Sequence, residues 1–102
     1  MKIWLDDVRL APSGYIHCRS VNEAKTAIFQ YERNFNDDTI LIDLDHDSGD
    51  YFDDGGDYIK ILDWLEEKGI VDTRYFFRLH TMNSVGAENM RRIIKRNKWR
   101  EV

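Results

Sequence analysis

Six residues near the middle of the chain, Thr39 to Leu44 (TILIDL), form a near-continuous apolar run. That is the pattern of a strand covered on both faces. It requires other strands beside it and helices packed on it, and the rest of the sequence supplies both. Lys2–Leu5 reads as a short strand running into Asp6-Asp7-Val8-Arg9. Ala11–Gly14 carries the Pro and Gly of a turn, and Tyr15–Cys18 reads as a second strand. Ser20 with Glu23 three residues on makes a capping box, and Val21, Ala24, Ile28 and Tyr31 predict a helix over Val21–Arg33. The NFNDD stretch, 34–38, breaks it. Tyr58, Ile61, Leu62 and Leu65 predict a second helix, stopped at Gly69. Arg74–Leu79 reads as a strand. A last helix, capped by Asn83 or Ser84, carries Met90, Ile93 and Ile94 on its apolar face and basic residues on the other.

Strands alternating with helices predict an α/β fold: a small, mostly parallel, four-stranded sheet with three helices on its two faces, a truncated receiver/flavodoxin-like three-layer sandwich. A single domain accounts for all 102 residues. Only about nine residues join the first two strands, short for a parallel crossover. The second strand is therefore either an antiparallel edge or is reached by a stretched loop. No strand is read after the last helix. Hydrophobic residues make up 42% of the chain, enough for one core, in which Trp4, Trp64, Phe76 and Phe77 are placed. The single cysteine, Cys18, excludes an internal disulfide and fits a reducing cytoplasm. No apolar run approaches the ~20 residues of a membrane span, and the N-terminus lacks a secretory-type segment.

The segment Leu41–Asp54 (LIDLDHDSGDYFDD) holds six aspartates and one histidine. A calcium loop counted from Asp43 wants Gly at its sixth position and Glu at its twelfth, where Ser48 and Asp54 stand. A strand also enters this loop, so that reading fails. Asp50, Asp53 and Asp54 read as turn residues. Ligands in open α/β sheets bind outside the carboxyl ends of the strands. The first strand ends in Asp6, Asp7 and Arg9, the third in Asp45, His46 and Asp47, and the fourth in His80, Thr81 and Asn83. In a parallel sheet these tips share one rim. Crowded carboxylates at Asp6, Asp7, Asp45 and Asp47 either hold a divalent cation, Mg²⁺ before Mn²⁺, or form a solvated acidic rim without metal. His46 and His80 suit proton transfer. Arg9, Thr81, Asn83 and the start of the last helix suit a phosphate. His17 reads as structural.

Charge is uneven. Residues 1–88 hold 9 Lys/Arg against 18 Asp/Glu, and residues 89–102 hold 6 against 1. The basic end, with Arg91, Arg92, Lys95 and Arg96, either complements a helix C-terminus or contacts a polyanion such as RNA.

Four pieces of sequence, WLDDVRLAPSGY, LDHDSG, GGDYIKILDWLEE and LHTMNSVGAENM, occur in order from about Ile3 to Met90. Together they resemble the cyclic-phosphate-processing receiver-like domain, a divergent relative of two-component receivers. The resemblance implies a doubly wound α/β fold with Asp6, Asp7 and Asp45 at the Mg²⁺ positions. It also implies that His46 and His80 are active on cyclic phosphates, for instance at RNA ends. The chain departs from the family pattern at Ser48, where a leucine is usual, and at Gly55-Gly56-Asp57-Tyr58, where a Gly-Thr-Gly-Tyr run is usual. Three functions follow as expectations. The first is a metal-assisted phosphoesterase acting on 2′,3′-cyclic phosphate ends or cyclic nucleotides. The second is a non-catalytic receiver-like binding module, and the third a receiver phosphorylated on Asp45.

Overall fold

A computed structural model describes residues 1–34, 39–70 and 74–102, with the side chain of Asn34 left out. Among the described residues the elements are β1 (Lys2–Leu5), β2 (Ile16–Cys18), α1 (Val21–Asn34), β3 (Ile40–Leu44), a 3₁₀ turn (Gly49–Tyr51), α2 (Ile59–Glu67), β4 (Tyr75–Leu79), α3 (Ser84–Arg96) and β5 (Arg100–Glu101). The break expected after the first helix falls largely on 35–38, outside the described residues. α1 starts at Ser20, whose hydroxyl accepts from Glu23 N–H. The Glu23 carboxylate reaches back to Arg19 N–H, one residue before the cap, so the capping box is stretched by one place. Asn83, not Ser84, caps α3 by accepting from Gly86 N–H at 2.9 Å.

The sheet is fully parallel in the order β2-β1-β3-β4-β5. This is the receiver/flavodoxin-like order, with its switch point between β1 and β3. Two expectations are corrected. The second strand is parallel, Ile3 facing Ile16 and Leu5 facing Cys18, so the stretched-loop reading holds. The sheet has five strands, because Arg100 and Glu101 pair with Phe76 and Phe77. Two residues are too few to show a periodic pattern, and charged ones give no strand signal.

The core gathers Ile3 and Leu5 from β1, Ile40, Ile42 and Leu44 from β3, and Tyr75 and Phe77 from β4. Val21, Ala24 and Ile28 of α1, Ile61, Leu62 and Leu65 of α2, and Met90, Ile93 and Ile94 of α3 close on them. α2 touches both α1 and α3. Helices on opposite faces would stand about two sheet-packing distances apart, roughly 20 Å, so all three lie on one face. Helices on both faces were expected; the other face carries Lys2, Trp4, Leu41, Phe76 and Arg78, none of them buried. The cause is the β1–β2 connection, which is a loop and not a helix. Of the four aromatics placed in the core, only Phe77 is fully buried, while Trp4, Trp64 and Phe76 are partly exposed. Among the described residues, no helix is long and apolar enough to cross a membrane.

Candidate metal and phosphate site

Parallel pairing of β1, β3 and β4 brings their carboxyl ends side by side. Asp6 follows β1 and is fully buried. Its Oδ1 accepts from the backbone N–H groups of Val8 and Arg9 at 2.9 and 2.8 Å, which folds the loop back and leaves Oδ2 facing the rim. Asp45 follows β3, with Oδ1 accepting from His46 N–H at 2.7 Å. His80 follows β4. Single ligand atoms of Asp6, Asp45 and His80 lie within 4.8 Å of one another.

His80 is held on three sides. Its Nδ1 lies 2.7 Å from Asp43 Oδ1 and its Nε2 3.0 Å from Asp6 Oδ2. Its ring stacks on Trp4, with centroids 3.9 Å apart and planes inclined by 4°. Carboxylates only accept, so both ring nitrogens carry protons in this arrangement and the ring is an imidazolium. Burial alone would push its pKa down, but the hydrogen bonds to Asp43 and Asp6 outweigh burial and raise it. For Asp6, burial raises the pKa, and the Arg9 and Val8 N–H groups with His80 more than reverse it, leaving it lowered.

His46 sits differently. Its Nδ1 lies 2.8 Å from Asp47 Oδ1, which places the proton on Nδ1 and leaves the Nε2 lone pair available. The ring rests against the first turn of α3, where a Cβ added at Gly86 would come within 2.5 Å of it. Asn83 Nδ2 stands 3.4 Å from His46 Nδ1.

The four carboxylates expected around one cation therefore divide. Asp6 and Asp45 meet with His80, whereas Asp47 joins His46 and Asp57. Asp7 belongs to neither set, because its carboxylate packs against the backbone of Gly49, whose φ of +55° suits a residue without Cβ. Its charge is felt at Tyr58, a buried residue whose hydroxyl donates to Arg19 O at 2.7 Å. Burial first, then the charges of Asp7, Asp6 and Asp45, push that hydroxyl's pKa up. The expected phosphate ligands are partly engaged. Arg9 Nη1 donates to His80 O at 3.2 Å, Thr81 Oγ1 accepts from Asn83 N–H at 3.0 Å, and Asn83 is the helix cap. Of the basic residues on α3, Arg91 pairs with Glu101, Arg92 with Glu88 and Arg96 with Glu66. His17, read as structural, holds its Nε2 2.8 Å from Asp6 O.

Sequence reasoning missed Asp43, Trp4 and Gly86. Asp43 is 2% exposed inside β3. A charge inside an apolar strand must find a partner, and that was the available signal. The two departures from the family pattern also meet: Ser48 donates to Asp57 Oδ1 through its N–H at 3.1 Å and its hydroxyl at 3.3 Å.

A parallel 2-1-3-4-5 sheet with acids after its first and third strands is the framework of a receiver-type domain. Within that class, the chain belongs to the family of cyclic-phosphate processing receiver domains, whose family model matches residues 1–96. No curated protein and no solved structure matches this chain.

Proposed function

We propose that this domain is a metal-assisted phosphoesterase that opens cyclic phosphates, with 2′,3′-cyclic phosphate RNA ends as the leading substrate. The observation that carries the reading is the convergence of Asp6, Asp45 and His80 at one rim, with His46 on the adjoining loop. One carboxylate oxygen from Asp6, one from Asp45 and Nε2 of His80 would hold the cation, Mg²⁺ or Mn²⁺, with the Nε2 proton that now faces Asp6 released to solvent as the cation binds. Behind His80, the Asp43 carboxylate orients the ring through Nδ1–H, the usual support for a ligating histidine. When bound, the cation supplies charge neutralisation to a phosphate that this acidic rim would otherwise repel.

Proton transfer is assigned to His46. With Asp47 holding Nδ1–H, Nε2 takes a proton from the attacking water and returns it to the leaving ribose oxygen. His80 was expected to share this work, but both its nitrogens are engaged. Arg9, tethered to the His80 carbonyl, would meet a phosphate oxygen. The test is a short RNA ending in a 2′,3′-cyclic phosphate, incubated with Mg²⁺, Mn²⁺ or EDTA. Metal-dependent ring opening, reduced roughly 10²–10⁴-fold by His46→Ala, is expected.

A second reading, a non-catalytic receiver-like module, is favoured by one observation. The described residues leave no buried side-chain polar atom without a partner, so the network is complete in itself. Intact metal binding without ring opening of any cyclic phosphate would select it.

A further inference from the structure

The face of the sheet that no helix covers has its own composition. Lys2, Arg78 and Arg100 are exposed on it, and Trp4, Tyr15 and Phe76 are partly exposed. Cations and rings are interleaved. Lys2 Nζ stands 5.5 Å from the Tyr15 ring centroid and the Arg100 guanidinium 5.4 Å from that of Phe76. Arg78 Nη1 donates to Tyr15 Oη at 3.4 Å, and Tyr15 meets Trp4 edge-on at 5.9 Å. Among the described residues, the one carboxylate that the strands place here is Asp43, which is buried, bonded to His80 through Oδ1 and 3.7 Å from Arg78 Nη1 through Oδ2, so Lys2 and Arg100 are the cations it leaves uncompensated. This face is therefore positive on a chain whose net charge is −4.

We propose that this open face is a platform for single-stranded RNA. Aromatic rings on an uncovered sheet take unstacked bases, and cations beside them take the phosphates. A cation resting on a ring marks a ring face that a base can occupy, with the cation then free to turn to the backbone. A duplex, its bases already stacked, has no use for such rings. α3 lies on the opposite face and is the weaker candidate, because Arg91, Arg92 and Arg96 are each paired with a glutamate. The face also leads to the site. Trp4, Asp43 and Arg78 form one row across the sheet, and His80 stacks on Trp4 just beyond it. A strand lying on the face would thus present its end to the rim. The proposal deepens the RNA-end reading of the function but is tested without catalysis.

The experiment is fluorescence anisotropy with the full chain in EDTA and a labelled single-stranded RNA of about eight nucleotides ending in a 3′-hydroxyl. Binding that weakens steeply with salt is expected. Lys2→Gln, Arg78→Gln and Arg100→Gln together should flatten the log–log salt slope by about 2, near 0.7 per lost phosphate contact. Phe76→Leu, which keeps apolar bulk but removes the ring, should weaken binding roughly 5- to 150-fold. Circular dichroism melting checks that each variant folds. If the triple variant does not, Lys2→Gln and Arg100→Gln singly should each flatten the slope by about 0.7. Three results would overturn the proposal: no RNA binding, the whole effect moving to Arg91→Gln with Arg92→Gln and Arg96→Gln, or sedimentation showing the face closed by a second copy that RNA does not displace. Strand binding without ring opening would sink the enzyme and leave the platform. Ring opening that ignores Phe76→Leu and the triple variant would do the reverse.

Discussion

Gly86 occupies the first turn of α3 where the His46 ring lies against the helix. An alanine there raises helix propensity by about 1 kcal/mol, yet its Cβ has no room while His46 keeps its place. Gly86→Ala is therefore expected to leave the melting temperature near that of the parent while ring opening falls toward the level of His46→Ala. A large loss of stability with full activity would show that the ring position does not matter. His80 supports a second expectation, read in EDTA. Its pKa is raised in the folded state, so its stabilising contribution is complete below the ordinary histidine value of 6.5 and is lost as pH rises through the folded value. Asp6, lowered from 3.8, works the other way and loses its contribution as pH falls through its folded value. Denaturant midpoints should thus decline on the alkaline side in the parent and much less in His80→Gln. Asp43→Asn is expected to weaken metal affinity about 10–100-fold by calorimetry, since it removes the support of a ligand and not the ligand itself.

β5 shows how a short element can matter through its neighbour. Trp99, just before it, is 9% exposed, stacks on Phe77 at 5.2 Å and donates to Ile70 O at 2.9 Å. Trp99→Ala should cost about 3–5 kcal/mol in chemical denaturation. Glu66→Ala, which cuts the exposed ion pair from α2 to Arg96, should leave the denaturation midpoint close to that of the parent. The sequence was legible where a pattern repeats over a turn or more. Val21, Ala24 and Ile28 marked α1, and Ile40 and Ile42 marked the central strand. It was illegible where meaning depends on what stands opposite. Asp43 looked like one more of six clustered aspartates until its partner just after β4, His80, was known. The strand tips pointed to Asp6, Asp45, His46 and His80, and the structure sets Asp6, Asp45 and His80 together at one rim, because topology alone decides which ends share an edge. The sorting of Asp7 and Asp47 away from Asp6 depended on loop backbone, at Gly49 for Asp7, and no period encodes that. The uncovered sheet face stayed hidden for the same reason: Trp4 and Phe76 are apolar, and only the missing helix between β1 and β2 exposes them.

At the scale of the whole molecule, the parallel order places every strand end that carries chemistry between β1 and β4, and leaves β2 as an edge of three residues. That edge is tied to the site, because Asp6 N–H donates to Cys18 O and the Asp6 carbonyl faces His17. Cys18 itself is 2% exposed, and burial, with the charge of Glu23, pushes its pKa up to about 11. The lone thiol is thereby silent in the closed protein and reactive only when the edge lifts. It is a built-in clock for that motion. Its labelling by a thiol reagent at neutral pH should run slowly, and a cation gripping Asp6 should slow it further in proportion to occupancy. Thiol labelling at Cys18 would thus report cation binding at Asp6 while needing neither substrate nor turnover.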